Sequence, residues 1–271
     1  MLLSRKSSAI GLVICLVVLV CAIFAPVLAP YDPLAIAPVD ILKRPSAAHW
    51  LGTDELGRDV FSRILFGARI SVTVGAIAIA IAIVCGVVFG MLSGYYGGAI
   101  DSATMRVMDA LAAFPAVLLA LAILSALGPG IRNATIAVGI VYVPAFSRVM
   151  RGSVLTVKQN EYVEAAAAAG ATTPYLMRRA ILPNCLSPLL VHASIGFANA
   201  IIVEAALGFL GLGTQPPTPS WGMMLNDGRQ FLGQNVWYSI SAGAAIFISV
   251  LGLNLLGDGL RDALDPRLQK A

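Results

Sequence analysis

The sequence predicts an all-α fold, a polytopic membrane protein with six transmembrane helices. Three observations carry this expectation. Of the 271 residues, 58% are hydrophobic and 12% charged, about half the charged share of an ordinary soluble domain. A spanning helix needs about 20 consecutive apolar residues, and candidate spans fall at 9–28, 70–93, 110–127, 133–150, 185–205 and 236–256. The polar stretches between them, 30–69, 151–183 and 206–235, are too short and too mixed to form a separate soluble domain, so 1–271 reads as a single transmembrane unit.

Taken in order, Arg5 and Lys6 precede an uncharged run from Ser7 to Tyr31, longer than the apolar core of a signal peptide. Within 30–69, Leu56, Val60, Phe61, Ile64 and Leu65 recur at helical spacing, with Glu55, Asp59, Ser62 and Arg63 on the other side. That pattern predicts an amphipathic helix lying at the membrane surface. The second span ends at Gly94-Tyr-Tyr-Gly-Gly98. Beyond it, Asp101, Met105 and Asp109 share a face, with Arg106 placed to pair with Asp109 at i,i+3, which predicts a solvated helix entry. Pro115 predicts a kink in the third span, and Pro144 lies in the fourth. The fifth span carries His192, expected as a packing residue, and the polar residues Asn199 and Glu204. A carboxyl group near a helix centre costs about 2.5–3.5 kcal/mol, so Glu204 either faces an aqueous cavity or a partner, with Asn199 a companion pathway candidate, or snorkels at the span's outer end.

The most informative stretch lies between spans four and five. Asn160 is a candidate cap for a helix whose first turn holds Glu161 and Glu164, and Ala165–Ala169 leave it almost no side-chain bulk. Gly170 is a stop, and Thr173-Pro174 reads as the cap and first residue of a second short helix. Two slim helices between apolar spans make a knob suited to a groove on another protein. The spacing Glu164-Ala165-Ala166, Gly170, Leu182-Pro183 resembles the EAA loop of binding-protein-dependent ABC importer permeases. Ala180 stands where that pattern commonly has a larger apolar residue, while Ile181-Leu-Pro-Asn184 is similar to the ending used by the peptide-importer branch. The strings Leu51-Gly-Thr-Asp-Glu-Leu-Gly-Arg-Asp59 and Gln215-Pro-Pro-Thr-Pro-Ser-Trp-Gly222 resemble the dipeptide and oligopeptide branch as well.

The resemblance implies a type I ABC importer permease fold in the bacterial inner membrane, with both termini cytoplasmic. It implies a homologous second permease subunit, two cytoplasmic ABC ATPase subunits, an extracytoplasmic substrate-binding protein and surrounding lipid, with no nucleic acid. In such a family Glu161, Glu164, Ala165, Ala166, Gly170, Leu182 and Pro183 belong to the loop that engages the ATPase. ATP and magnesium would belong to the partner ATPases, and no cofactor or metal to this chain. Parity from a cytoplasmic N-terminus puts 151–183 inside. The charges agree modestly, since eleven Lys and Arg (Arg5, Lys6, Arg267 and Lys270 among them) fall on inside segments and seven outside.

None of the four lysines follows a glycine, so there is no phosphate-binding Gly-x-x-x-x-Gly-Lys-[Ser/Thr] loop. No His-Glu-x-x-His or Gly-x-Ser-x-Gly is present either, and no catalytic residue is assigned. The four cysteines lie within or beside spans without Cys-x-x-Cys, as small buried hydrophobes do. The rival expectation is a secondary transporter or channel working without an ATPase. Such proteins often carry inverted repeats with broken central helices, and this sequence shows none.

Overall fold

A computed structural model describes residues 6–264; Arg5, Arg267, Lys270 and the end of the charged tail lie outside the described residues. The long helices are α1 (Lys6–Leu28), α2 (Val60–Tyr96), α5 (Ile131–Val157), α8 (Leu182–Phe209) and α10 (Val236–Leu264). Shorter pieces are α3 (Gly98–Ala112), α4 (Ala116–Leu127), α6 (Glu161–Ala168), α7 (Thr173–Tyr175) and α9 (Trp221–Gly228). Five helical segments are long and apolar enough to cross a membrane, α7 and α8 counting as one continuous rod from Thr173 to Phe209. The sixth crossing is the pair α3 and α4, bent by 95° at the break before Pro115. It starts where Asp101 meets Ser93 at the end of α2 and finishes where Gly130 donates to the Leu212 carbonyl after α8, so it traverses the bundle.

The helices extend past the spans read from hydropathy, because a helix needs lipid only for its middle. α2 has 37 residues, about 55 Å at 1.5 Å per residue against a hydrocarbon core of about 30 Å. The central packing is α2 against α5, and glycine makes it possible. A Cβ on Gly86 would stand 2.4 Å from Phe146 Cβ, one on Gly90 2.4 Å from the Ser147 carbonyl oxygen, and one on Gly94 2.9 Å from Val154 Cβ. Small residues four apart let two backbones approach inside lipid, where van der Waals contact rather than water exclusion holds helices together. The main core grows from this seam: Ala78, Ala82, Phe146, Met150 and Val154 join Ile181, Cys185 and Leu189 of the following rod. His192 stands edge-on to Phe146 with ring centroids 4.8 Å apart, the packing role expected of it.

The first connector overturns the expected surface helix. Residues 51–59 are turns, α2 begins only at Val60, and Asp59, Ser62 and Arg63 are buried. The polar face that periodicity assigned to solvent is covered by the preceding residues of the same connector. Asp54 organises it: Oδ1 accepts from the Leu56 and Arg58 amides at 2.9 Å, and Oδ2 accepts from Arg58 Nε at 2.6 Å. Arg63 Nη1 reaches back 3.2 Å to the Pro33 carbonyl. Asp59 caps α2 through the Ser62 amide at 2.8 Å and pairs with His49 Nδ1 at 2.9 Å. Asn235 Nδ2 then donates to the Lys43 and Thr53 carbonyls at 3.0 and 3.1 Å, joining this connector to the one before α10. Residues 29–59 and 210–235 therefore form one cap on one end of the bundle.

Candidate functional site: the exposed loop at the opposite end

The segment 158–183 lies at the other end. α5 runs to Val157 and the chain turns through Lys158–Asn160, with Lys158 Nζ donating 3.0 Å to the Gly94 carbonyl at the end of α2. Asn160 has cap geometry, but its side chain makes no capping bond; its carbonyl accepts from the Val163 and Glu164 amides at 2.9 and 3.3 Å. α6 turns Val163 into the core and leaves Glu161, Glu164 and Ala165 exposed. Ala166 is half-buried and packs against that core, so the bulk-free outer surface is Ala165, Ala167, Ala168 and Ala169. Gly170 ends the helix at φ +86.

The expected second short helix is not a separate element. Thr172, rather than Thr173, is the capping residue, and α7 continues through a wide turn, Leu176–Ile181, into α8. Leu182 N donates to the Met177 carbonyl, five residues back. The cause is Pro183, which has no N–H and whose ring crowds the carbonyl four residues earlier; widening the turn accommodates both. The Ala180 carbonyl accepts from Asn184 Nδ2 at 2.8 Å and from the Tyr162 hydroxyl at 3.2 Å. Leu176 and Ile181 are buried, Leu182 is half-buried and Pro183 is exposed. The loop is thus fastened directly to the rod that begins at Thr173. Tyr162→Phe removes that bond and should raise protease cleavage within 158–175 several-fold with normal membrane insertion; an unchanged cleavage rate would show that the bond does not fasten the loop.

A second feature escaped local reading. Asp109 does not pair with Arg106; Arg148 of α5 reaches it at 2.8 Å. Asp101 takes two bonds of 2.6 Å from Arg151 Nε and Nη2 and one from the Ser93 hydroxyl. The two carboxylates thus hold α3 to α5 close to the loop. Arg148 and Arg151 lie one turn apart on α5 while Asp101 and Asp109 lie two turns apart on α3, so no shared spacing in the sequence signals the pairing.

The structure separates Asn199 from Glu204. Asn199 is exposed on the flank of α8. Glu204 is 1% exposed, its Oε2 accepts from Ser71 Oγ of α2 at 3.0 Å, and its Oε1 has no partner among the described residues. It is a buried interhelical carboxyl group, not a snorkelling one.

Six helical crossings among the described residues, with an exposed loop at one end and a folded polar cap at the other, make this a polytopic membrane protein. The chain belongs to the family of binding-protein-dependent transport system inner membrane components, which matches residues 86–270. Residues 1–45 match the N-terminal TM domain of oligopeptide transport permease C. The chain is 46% identical to the dipeptide transport system permease protein DppC of Alkalihalophilus pseudofirmus, over 98% of this chain and 87% of that protein. It is 45% identical to the di/tripeptide transport system permease protein DppC of Pseudomonas aeruginosa, over 98% and 90%. A subunit of the inward-facing MetNI methionine ABC transporter shares the fold with a TM-score of 0.61 at 18% identity, covering 75% of this chain and 96% of that one.

Proposed function

We propose that this chain is the membrane-spanning subunit of an ATP-driven importer for peptides of two or three residues in the bacterial inner membrane. Separate ATPase subunits, holding ATP and magnesium, engage residues 161–183 from the cytoplasm. A homologous permease completes the pathway, and an extracytoplasmic binding protein delivers peptide to the cap end. Both termini are then cytoplasmic, since six crossings return the chain to its starting side.

The observation that carries the reading is the join between the loop and the rod Thr173–Phe209. α6 offers a partner a surface of alanines flanked by Glu161 and Glu164. Any displacement of α6 is passed through the Tyr162–Ala180 bond and the wide turn to a helix that crosses the membrane. The ATPase cycle thereby tilts that rod against α2 and α5 and exposes the pathway to alternate sides. The substrate class follows from the relatives, which are named for dipeptide and di/tripeptide transport. Glu204 and Asn199 are kept as pathway residues on their polarity within a span.

Reconstitution tests the reading. Proteoliposomes holding this subunit, its partner permease and the ATPases should take up a labelled dipeptide only with ATP and binding protein. Uptake without any ATPase would replace the reading with a secondary transporter or channel. In the same assay Glu204→Gln, which keeps an acceptor for Ser71, should change the uptake rate several-fold without changing assembly; an unaltered rate returns Glu204 to a packing role.

A further inference from the structure

α3 (Gly98–Ala112) has three sides of different chemistry. Met108 is buried and Thr104, Met105 and Leu111 are half-buried, so this side meets the bundle. Ile100, Ala103, Val107 and Ala110 recur at i, i+3, i+7 and i+10, the spacing of a single helix stripe, and all four are exposed. Phe114, just past the helix end, is exposed as well. Ser102 and Arg106 make an exposed polar side next to that stripe.

The direction of α3 follows from its clamps. Arg151 holds Asp101 at 2.6 Å and Arg148 holds Asp109 at 2.8 Å. Along α3 the two carboxylates stand about 12 Å apart, while along α5 their partners stand only about 4.5 Å apart. α3 therefore runs across α5 rather than beside it. α4 is bent 95° away from α3 and leads through the turn at Gly128–Gly130 directly into α5. Its Ala120 and Leu124 share a core with Ala134, Ala137 and Val138 of α5. α4 thus follows the bundle axis, and α3 lies across it.

Two observations make lipid the occupant of the exposed stripe. First, α2 turns Gly86, Gly90 and Gly94 toward α5, while Val84, Val88, Leu92 and Tyr96 on its other side are exposed to the helix end. This is a lipid-facing row that finishes in tyrosine, a residue enriched at membrane–water interfaces, and Ile100 opens the stripe of α3 four residues later. The second observation is length. α4 has 12 residues, about 18 Å at 1.5 Å per residue, against a hydrocarbon core of about 30 Å. Surface-lying amphipathic helices sink about 5–10 Å into the acyl boundary. An α3 seated at that depth starts α4 already inside the hydrocarbon and closes most of the gap.

We propose that α3 lies in the plane of the membrane surface at the loop end, with Ile100, Ala103, Val107, Ala110 and Phe114 seated in the acyl boundary. Ser102 and Arg106 then stay in the headgroup layer, to which an arginine head reaches while its stem covers apolar surface. Through Asp101 and Asp109 this helix ties α5, and with it the start of the exposed loop, to the bilayer surface.

Spin labelling of the full chain in nanodiscs of phosphatidylethanolamine and phosphatidylglycerol tests the proposal. Cys15, Cys21, Cys85 and Cys185 are replaced by alanine or serine, and Ala103→Cys, Ala110→Cys or Ser102→Cys is introduced singly at these exposed positions. Oxygen, which dissolves in lipid, and a water-soluble nickel chelate serve as relaxation probes. The oxygen-to-nickel collision ratio should be several-fold higher for Ala103→Cys and Ala110→Cys than for Ser102→Cys. Labels at the first two should also report the same depth, because a helix in the membrane plane does not deepen along its length. If α3 runs into the bilayer instead, those two depths differ by about 10 Å, and the proposal is overturned. It is equally overturned if nickel reaches all three labels alike, which puts the stripe in water, or if neither probe reaches Ala103→Cys and Ala110→Cys, which means that protein covers it. None of these outcomes depends on ATP-driven uptake, so the proposed function is decided separately.

Discussion

Gly170→Pro should abolish ATP-driven uptake while the protein still inserts into the membrane. Gly170 holds φ +86, and proline fixes φ near −65°, so the two conformations are incompatible. The Gly170 amide also donates 3.0 Å to the Ala167 carbonyl, a bond proline cannot make. A Cβ at this position meets nothing within 4 Å, but the proline Cδ would take the place of the amide hydrogen and crowd the Ala167 carbonyl. The effect is therefore a misdirected turn between α6 and α7, not a disrupted core. Gly170→Ala separates the two costs. It keeps the amide and carries only the left-handed penalty of about 1–2 kcal/mol, so it should transport at a reduced rate. If Gly170→Pro transports normally, the turn has no part in coupling. A bulky charge is best placed at Ala165 or Ala168, because at Ala166 it would disturb the core and docking together.

Gly90→Leu should strongly destabilise the bundle, because it forces α2 and α5 apart. A Cβ there would lie 2.4 Å from the Ser147 carbonyl oxygen and 2.6 Å from Met150 Cβ. Two of these atoms belong to the α5 backbone or sit directly on it, so relief requires α2 and α5 to move apart. Overpacking in well-packed cores costs about 1–3 kcal/mol, and here the Gly86 and Gly94 contacts would be lost with it. The measurement is the detergent-solubilised protein's thermal midpoint and its resistance to protease. Gly152→Leu on α5 is the control, since nothing lies within 4 Å of a Cβ there. If Gly90→Leu and Gly152→Leu behave alike, close approach of α2 and α5 does not hold the bundle together.

Much of the architecture was legible because lipid imposes a simple rule on sequence. Every crossing leaves an apolar run, and Gly170 and Pro115 mark breaks that the structure places where local chemistry puts them. What was not legible depends on residues far apart in the chain. Arg63 alternates with apolar neighbours as a surface residue would, yet it is buried because residues 29–59 fold over it, a contact that helical periodicity cannot register. Asp101 and Arg151 are fifty positions apart, and only the folded bundle makes them partners. Gly86, Gly90 and Gly94 stand four residues apart, a spacing the sequence analysis did not use, and only the fold shows that α5 is the helix they admit. At the loop, the wide turn before Pro183 could have been anticipated from proline's missing amide; that it fuses α7 to the fifth crossing could not.

On the proposed function, an ATPase covers residues 161–183 on the cytoplasmic side of the membrane, a placement open to direct labelling. Its most direct test replaces Cys15, Cys21, Cys85 and Cys185 with alanine or serine and introduces Ala168→Cys at the exposed end of α6. A membrane-impermeant maleimide should fail to label intact cells, should label inverted vesicles stripped of ATPase, and should be blocked when the ATPase is added back. Labelling of Ala168→Cys from outside intact cells would put the loop on the wrong side of the membrane and contradict the coupling mechanism.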